Sequence, residues 1–182
     1  LTEHELIQGC IHKKRECEKM LFDRYAGKMM SVCLRYASQE AEAQDILQEG
    51  FIKVFSHIHK FRFDGSFEGW MRRVFAHVAI RQMSRKKVVF TELELSENRE
   101  ESVDPAVLSK ISEDEIHRMI CKMPDGYRTV FNLSVIEGYS HEEIGEMLNI
   151  QPATSRGQLF KARKYLQFII IKKFNTLISI IL

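Results

Sequence analysis

Apolar positions recur at helical spacing through the first ninety residues. Met20, Leu21, Met29, Val32, Cys33 and Tyr36 build one apolar face in a stretch from Leu6 to Ser56 that few Pro or Gly interrupt. Ile46, Leu47, Phe51, Val54 and Phe55 form the stripe of a helix predicted from about Gln39 to His57, with Ser38 as its cap. A short turn follows, Phe61-Arg-Phe-Asp-Gly-Ser-Phe, with Asp64-Gly65 as its turn pair. Ser66 then opens a third helix that reaches about Lys87.

The periodicity lapses over residues 88–110, which are acidic and contain Asp104-Pro105, as a linker would. Helical pattern returns near Ser112. Pro124 and Asp125 start a helix that closes at Gly138. Ser140-His-Glu-Glu143 reads as a capping box for a helix over about 141–148, and Asn149 tolerates the left-handed backbone that ends it. Pro152 suits the first turn of a last helix, where its missing N–H costs little. No alternation of strand type and no internal repeat occurs. The expectation is an all-α chain with a helical domain over 1–87, an acidic linker over 88–110, and a second helical domain over 111–182.

Charge changes this picture by its distribution rather than its total. The net charge is only +2. From His57 to Phe90 there are eight Lys or Arg against two acids, and from Thr91 to Glu115 nine acids against Arg99 and Lys110. A basic block followed by an acidic one places the two segments in different surroundings. With 45% hydrophobic and 29% charged residues, the 182-residue chain has the make-up of a folded globular protein.

The sharpest local signal lies in Tyr139–Leu166, where a short capped helix, the turn Asn149-Ile150-Gln151 and a second helix spell a helix-turn-helix. Ile144, Met147, Leu148 and Ile150 are expected to pack against Ser155, Leu159, Ala162 and Leu166. The other face carries Thr154, Arg156, Gln158, Lys161, Arg163 and Lys164. A positive outer face suits a DNA major groove, with side chains near the helix start on base edges and Lys or Arg on phosphates. The same pattern suits an ordinary helical hairpin with a solvated basic face, and the segment alone leaves the choice open.

Here a resemblance enters. Met123-Pro-Asp-Gly-Tyr-Arg-Thr-Val-Phe-Asn-Leu, Glu137-Gly-Tyr-Ser-His-Glu-Glu-Ile-Gly-Glu-Met-Leu-Asn-Ile and Thr154-Ser-Arg-Gly-Gln-Leu-Phe-Lys-Ala-Arg-Lys resemble region 4 of the extracytoplasmic-function (ECF) sigma factors. The resemblance implies that this module reads a −35 promoter element through Thr154, Arg156, Gly157, Phe160 and Lys161. Arg156 and Lys161 suit phosphate or guanine, Phe160 suits a thymine methyl, and Gly157 offers only backbone or shape. Ser155 stands where an aliphatic residue is common.

The first domain extends the resemblance. Phe22-Asp-Arg-Tyr and Ala43-Gln-Asp-Ile-Leu-Gln-Glu-Gly-Phe-Ile-Lys-Val-Phe are similar to sigma region 2 and its polymerase-binding segment. Asp45, Gln48 and Glu49, beside apolar Phe51 and Ile52, are the contacts it implies with core RNA polymerase; by themselves these residues equally fit a core helix with solvated acids. Phe67-Glu-Gly-Trp-Met-Arg-Arg-Val-Phe-Ala-His-Val-Ala resembles the part that holds the melted −10 strand. Aromatic faces and basic side chains are what unstacked bases need. Phe61, Phe63, Phe67 and Trp70 lie beside Arg62, Arg72, Arg73 and Arg81, although Trp70 also suits a core position. The implied −10 residues are Arg62, Phe63, Asp64, Ser66, Arg73, His77 and Arg81; His77 and Arg81 stand where the family often has Asn and Asp. The acidic linker would run through the polymerase as a mimic of phosphates, or simply be a solvated tether.

The resemblance spans about residues 17–167 and implies a transcription initiation factor. Its partners would be core RNA polymerase, promoter DNA as duplex and melted strand, and an anti-sigma factor. The alternative is a polymerase-independent helix-turn-helix regulator, which would need neither the Asp45–Phe55 surface nor the aromatic-basic loop. No enzyme is expected, since H-E-x-x-H, G-x-S-x-G and Gly-rich phosphate loops are missing from the sequence. Neither metal nor cofactor is expected. His57 and His59 diverge on a helix, and Cys10, Cys17, Cys33 and Cys121 form no C-x-x-C pair and read as reduced thiols. No leader pattern opens the sequence, so a cytoplasmic location is expected. The apolar stretch Phe168–Leu182 is short and broken by Lys172, Lys173, Asn175 and Thr176, which suits a helix packing on its own domain better than a membrane span, with a partner-binding or membrane-touching tail as the alternative.

Overall fold

The computed structural model describes residues 1–85 and 111–181, and every regular element among them is helical. The chain divides into two compact units, Leu1–Lys86 and Lys87–Leu182. The acidic stretch over 88–110 lies outside the described residues.

The first unit contains α1 (Glu3–Ile11), α2 (Arg15–Tyr36), α3 (Glu40–His57), a 3-10 turn (Ile58–Lys60) and α4 (Phe67–Arg85). Thr2 opens α1 with a capping box: its hydroxyl accepts from the Glu5 N–H, and the Glu5 carboxylate accepts from the Thr2 N–H. The break between α1 and α2 has no Gly or Pro, and the sequence pattern does not mark it. Lys13 instead takes a left-handed backbone with φ 56°. The N–H groups of Lys13 and Lys14 then reach back to the Cys10 and Gly9 carbonyls, which is the Schellman termination.

The cap of α3 differs from expectation. Gln39 occupies the cap position without a side-chain bond, and Glu42 accepts from the Ser38 N–H at 2.9 Å. Ser38 therefore precedes the cap position, and its backbone N–H is held by Glu42. The expected cap of α4 is present, with Ser66 Oγ accepting from the Gly69 N–H at 3.2 Å.

Leu21, Met29, Val32, Ile46, Val54, Met71 and Phe75, each no more than 1% exposed, form the core between α2, α3 and α4. Gly50 makes the α3–α4 approach possible, since a Cβ there would sit 2.2 Å from Cε1 of Phe75. Phe51 is also core: it is 4% exposed and meets the Phe75 ring edge-on at 5.3 Å. It keeps its place in the apolar stripe, and the place on an outer interface that the resemblance implied is corrected, because α3 turns that residue toward α4.

The second unit contains α5 (Glu113–Cys121), α6 (Asp125–Phe131) with a π turn (Asn132–Ile136), α7 (His141–Leu148) and α8 (Pro152–Ile181). Ser112 and Glu115 cap α5 reciprocally. The π turn shows in the bond from the Glu137 N–H to the Asn132 carbonyl, and Gly138 at φ 78° closes the segment where expected. Ile120, Met123, Tyr127 and Ala162 form the core, with Phe131, Tyr165 and Leu166 packed against it.

The apolar tail continues α8. Tyr165 donates to the Lys122 carbonyl at 3.0 Å and Lys173 pairs with Glu115, so α8 is tied to α5 and its end as far as Lys173; the side chains over 174–182, where the expected packing of the tail falls, lie outside the described residues. No helix among the described residues is long and apolar enough to cross a membrane.

Candidate nucleic-acid and polymerase interfaces

The helix-turn-helix of the second unit is built by three local devices. Ser140 and Glu143 form the expected capping box on α7. Asn149 takes the left-handed backbone at φ 54°, and its N–H and that of Ile150 both reach the Gly145 carbonyl. Gly145 then permits the close turn: a Cβ there would lie 2.8 Å from the Ile150 carbonyl oxygen. The sequence motif contains this glycine, but only the backbone approach reveals its task.

Across the turn, His141 Nδ1 and Ser155 Oγ are 2.9 Å apart. Ser155 is fully buried, and its hydroxyl is accommodated where an aliphatic residue is common because it has a polar partner on α7. Ile144, Leu159 and Ala162 are buried as expected, while Met147, Leu148, Ile150 and Leu166 are half-buried.

On the outer side of α8, Thr154, Arg156, Gly157, Phe160 and Arg163 are exposed and Lys161 is half-buried. Arg156, Phe160 and Arg163 form one stripe, and Thr154, Gly157, Lys161 and Lys164 the next. Phe160 is 62% exposed, with the Lys164 ammonium 5.9 Å from its ring centroid. Arg156 faces Glu142 at 3.5 Å in an exposed pair that water and salt weaken. Gln158 is a correction. It is 5% exposed and belongs to the inner side of α8, not to the basic face.

In the first unit, the loop between the 3-10 turn and α4 carries Arg62, Phe63, Asp64 and Ser66, all exposed. The left-handed residue is Phe63, at φ 60°, and not Gly65 of the expected turn pair. Such a backbone costs a residue with a side chain about 1–3 kcal/mol and persists only where neighbours hold it. They are aromatic: Phe61 lies 4.9 Å from Phe63, 5.1 Å from Phe67 and 5.8 Å from Trp70. Phe67 is core, while Trp70 is half-buried and stacks on Phe67, short of the fully interior position that tryptophan also suited.

Along α4, Arg73, His77 and Arg81 are exposed at a spacing of four, which aligns them on one stripe leading from the loop. Partial desolvation of the His77 ring lowers its pKa below the usual imidazole value. Arg72 instead bonds Glu68, which also takes Lys28 at 2.6 Å; the Lys28 bond leads in holding the Glu68 carboxyl below the usual range.

Along α3, Asp45, Gln48 and Ile52 are exposed, and Ile52 is 66% exposed. Glu49 sits apart from them chemically, because it accepts from Gln82 on α4 at 2.9 Å. Cys10, Cys17 and Cys33 are buried and unpaired, and Cys121 is half-buried. Burial pushes the Cys10 thiol up to about 11 and the Cys33 thiol to about 12, and raises that of Cys121. Among the described residues, no group of three or more His, Cys, Asp or Glu is placed to hold a metal ion.

The sequence of the first unit matches the family model Sigma-70 region 2 over residues 21–88, and that of the second matches Sigma-70, region 4 over 113–166. The chain is 33% identical over 159 residues to the ECF RNA polymerase sigma factor SigW of Bacillus subtilis, covering 81% of this chain and 85% of that one. It is 27% identical over 180 residues to the RNA polymerase sigma-H factor of Pseudomonas aeruginosa, covering 90% and 93% of the two chains. Among solved structures it is similar to the sigma factor RpoE of Bartonella quintana, solved in complex with the anti-sigma factor NepR. That similarity has a TM-score of 0.51 at 17% identity, covers 85% of this chain and 96% of that one, and speaks for the fold. The two modules in their order, with the extent of the SigW match, place the chain in the sigma-70 family as an ECF RNA polymerase sigma factor.

Proposed function

We propose that the chain binds core RNA polymerase through α3, reads a −35 element with α8 and holds the melted −10 strand on the loop at 61–66 and the outer stripe of α4. The observation that carries this is Ile52. Its side chain is 66% exposed on one stripe with exposed Asp45 and Gln48, so α3 presents outward the mixed apolar and polar face that the resemblance assigns to the polymerase contact. A stand-alone regulator would work through the helix-turn-helix alone.

The chemistry is differential binding. Arg156 and Lys161 suit phosphate or guanine, Phe160 suits a thymine methyl, and Thr154 and Gly157 lie on the same outer stripes. Exposed Phe63 offers a ring to an unstacked base, Asp64 and Ser66 offer polar partners to its edge, and Arg62, Arg73, His77 and Arg81 track the strand behind it. Work in the cytoplasm and control by an anti-sigma factor follow from the family, and the relative solved with NepR supports the latter.

The test is co-purification of the full chain with bacterial core RNA polymerase. The wild type is expected to be retained and Asp45→Arg and Ile52→Asp to be lost. Failure of the wild type to bind core, together with tight binding of the free chain to duplex DNA, would overturn the proposal in favour of the stand-alone regulator.

A further inference from the structure

The first turn of α1 reaches the loop that carries Phe63. The His4 ring lies 4.9 Å from the Phe63 ring, tilted at 38°. α1 precedes residue 21, where the region 2 match begins, so His4 reaches Phe63 from outside that module as the match defines it. The chain of rings is continuous from α1 to α4: His4 to Phe63 at 4.9 Å, Phe63 to Phe61 at 4.9 Å, then Phe61 to Phe67 and Trp70 at 5.1 and 5.8 Å.

Three ties fix the turn that carries His4. The Thr2–Glu5 capping box closes its start. Glu3 accepts from the Tyr25 hydroxyl, and Arg24 reaches the Leu1 carbonyl at 3.4 Å, both from α2. Leu6 and Ile7, each 1% exposed, anchor the following turn in the core. His4 is therefore presented from a fixed support, whereas Phe63 sits in an exposed loop with a left-handed backbone that needs holding.

We propose that His4 is a positioning residue for promoter recognition: its ring backs Phe63 and fixes the aromatic wall against which one unstacked base of the −10 strand lies. This rests on the proposed role of the loop. Phe61 supports the same ring from the side of α4, and the 42% of Phe63 left exposed is the face offered to the base. Without His4, Phe63 loses its support on the α1 side and samples other positions, so base selectivity falls while affinity for polymerase does not.

The test uses holoenzyme assembled from core RNA polymerase and the full chain, and a single-stranded DNA 12-mer library randomised at all positions. The wild type is expected to select a base at one position most strongly, and four synthetic 12-mers differing there then measure the preference. His4→Ala is expected to lower that preference by about tenfold, because the base is no longer held against the edge partners Asp64 and Ser66, with core binding, thermal stability and the salt dependence of binding unchanged. His4→Phe, which restores a ring, is expected to recover it, and Phe63→Ala to abolish it. Wild-type selectivity in His4→Ala, loss of selectivity in His4→Phe, or wild-type selectivity in Phe63→Ala would each overturn the inference and leave polymerase binding intact. Absence of any selection by wild-type holoenzyme would overturn the loop's proposed role as well.

Discussion

His141 Nδ1 and Ser155 Oγ stand 2.9 Å apart, one hydrogen bond joining α7 to the fully buried side of α8. Ser155→Ala removes that bond and leaves only the small space of one oxygen beside the remaining Cβ. Because half-buried His141 retains access to water, the expected loss is near the net worth of one hydrogen bond, about 1 kcal/mol. Amide hydrogen exchange on the full chain reads it directly: about fivefold faster exchange in α7, and none of that change in α1–α4. Unaltered exchange in α7 would show that packing alone sets the helix-turn-helix.

Two glycines of the same motif are expected to part company. At Gly145 a Cβ would press within 2.8 Å of the Ile150 carbonyl oxygen, so Gly145→Ala has to move backbone and should destabilise the second unit by about 1–3 kcal/mol. At exposed Gly157 a Cβ meets nothing within 4 Å, and Gly157→Ala should stabilise the free chain by about 0.5–1 kcal/mol through helix propensity. If α8 lies against DNA there, the same Gly157→Ala chain binds −35 duplex less tightly despite its higher stability. Denaturant titration beside duplex affinity separates the two effects; tighter duplex binding by Gly157→Ala would remove that position from the contact surface.

How much of this was legible in the sequence depends on whether a signal is local. The Ser140–Glu143 box, left-handed Asn149 and Pro152 at the start of α8 are short-range chemistry, and the pattern of residues announced each of them. The Schellman turn at Lys13 was silent, because no Gly or Asn marks it and the Gly9 carbonyl supplies the termination. Gln158 was misplaced for a physical reason, whereas Phe51 takes the place that the apolar stripe gave it. Gln158 lies at the border of its helix's apolar stripe, and which side of a border residue is covered depends on the neighbouring helix, not on its own periodicity. Glu49 is occupied by Gln82, 33 positions away, a pairing that no local spacing encodes.

That pairing decides which variants of α3 report on polymerase binding. Ile52→Asp changes an exposed side chain and should leave stability within about 0.5 kcal/mol of wild type, while affinity for core RNA polymerase falls more than about tenfold if Ile52 is a central contact. Glu49→Arg breaks the bond to Gln82 as well, so its loss of binding mixes fold and interface. Phe51→Ala empties a core site and should cost about 3–5 kcal/mol without touching the surface. Full affinity in Ile52→Asp would move the polymerase contact away from this stripe.

The stripe on α4 gives the last expectation, because charge and stacking leave different marks on salt dependence. A cation on a phosphate displaces counterions, so each such contact adds about 0.7 to the slope of log affinity against log salt on single-stranded DNA. Arg73 and Arg81 are exposed and aligned through His77, while Phe63 carries no charge. Arg73→Gln and Arg81→Gln in the holoenzyme should each weaken binding to a single-stranded −10 oligonucleotide and flatten the slope by about 0.7. Phe63→Ala should weaken binding with the slope unchanged, since stacking releases no ions. A flattened slope in Phe63→Ala, or an unchanged one in both arginine variants, would mean that the strand does not follow α4 away from the loop.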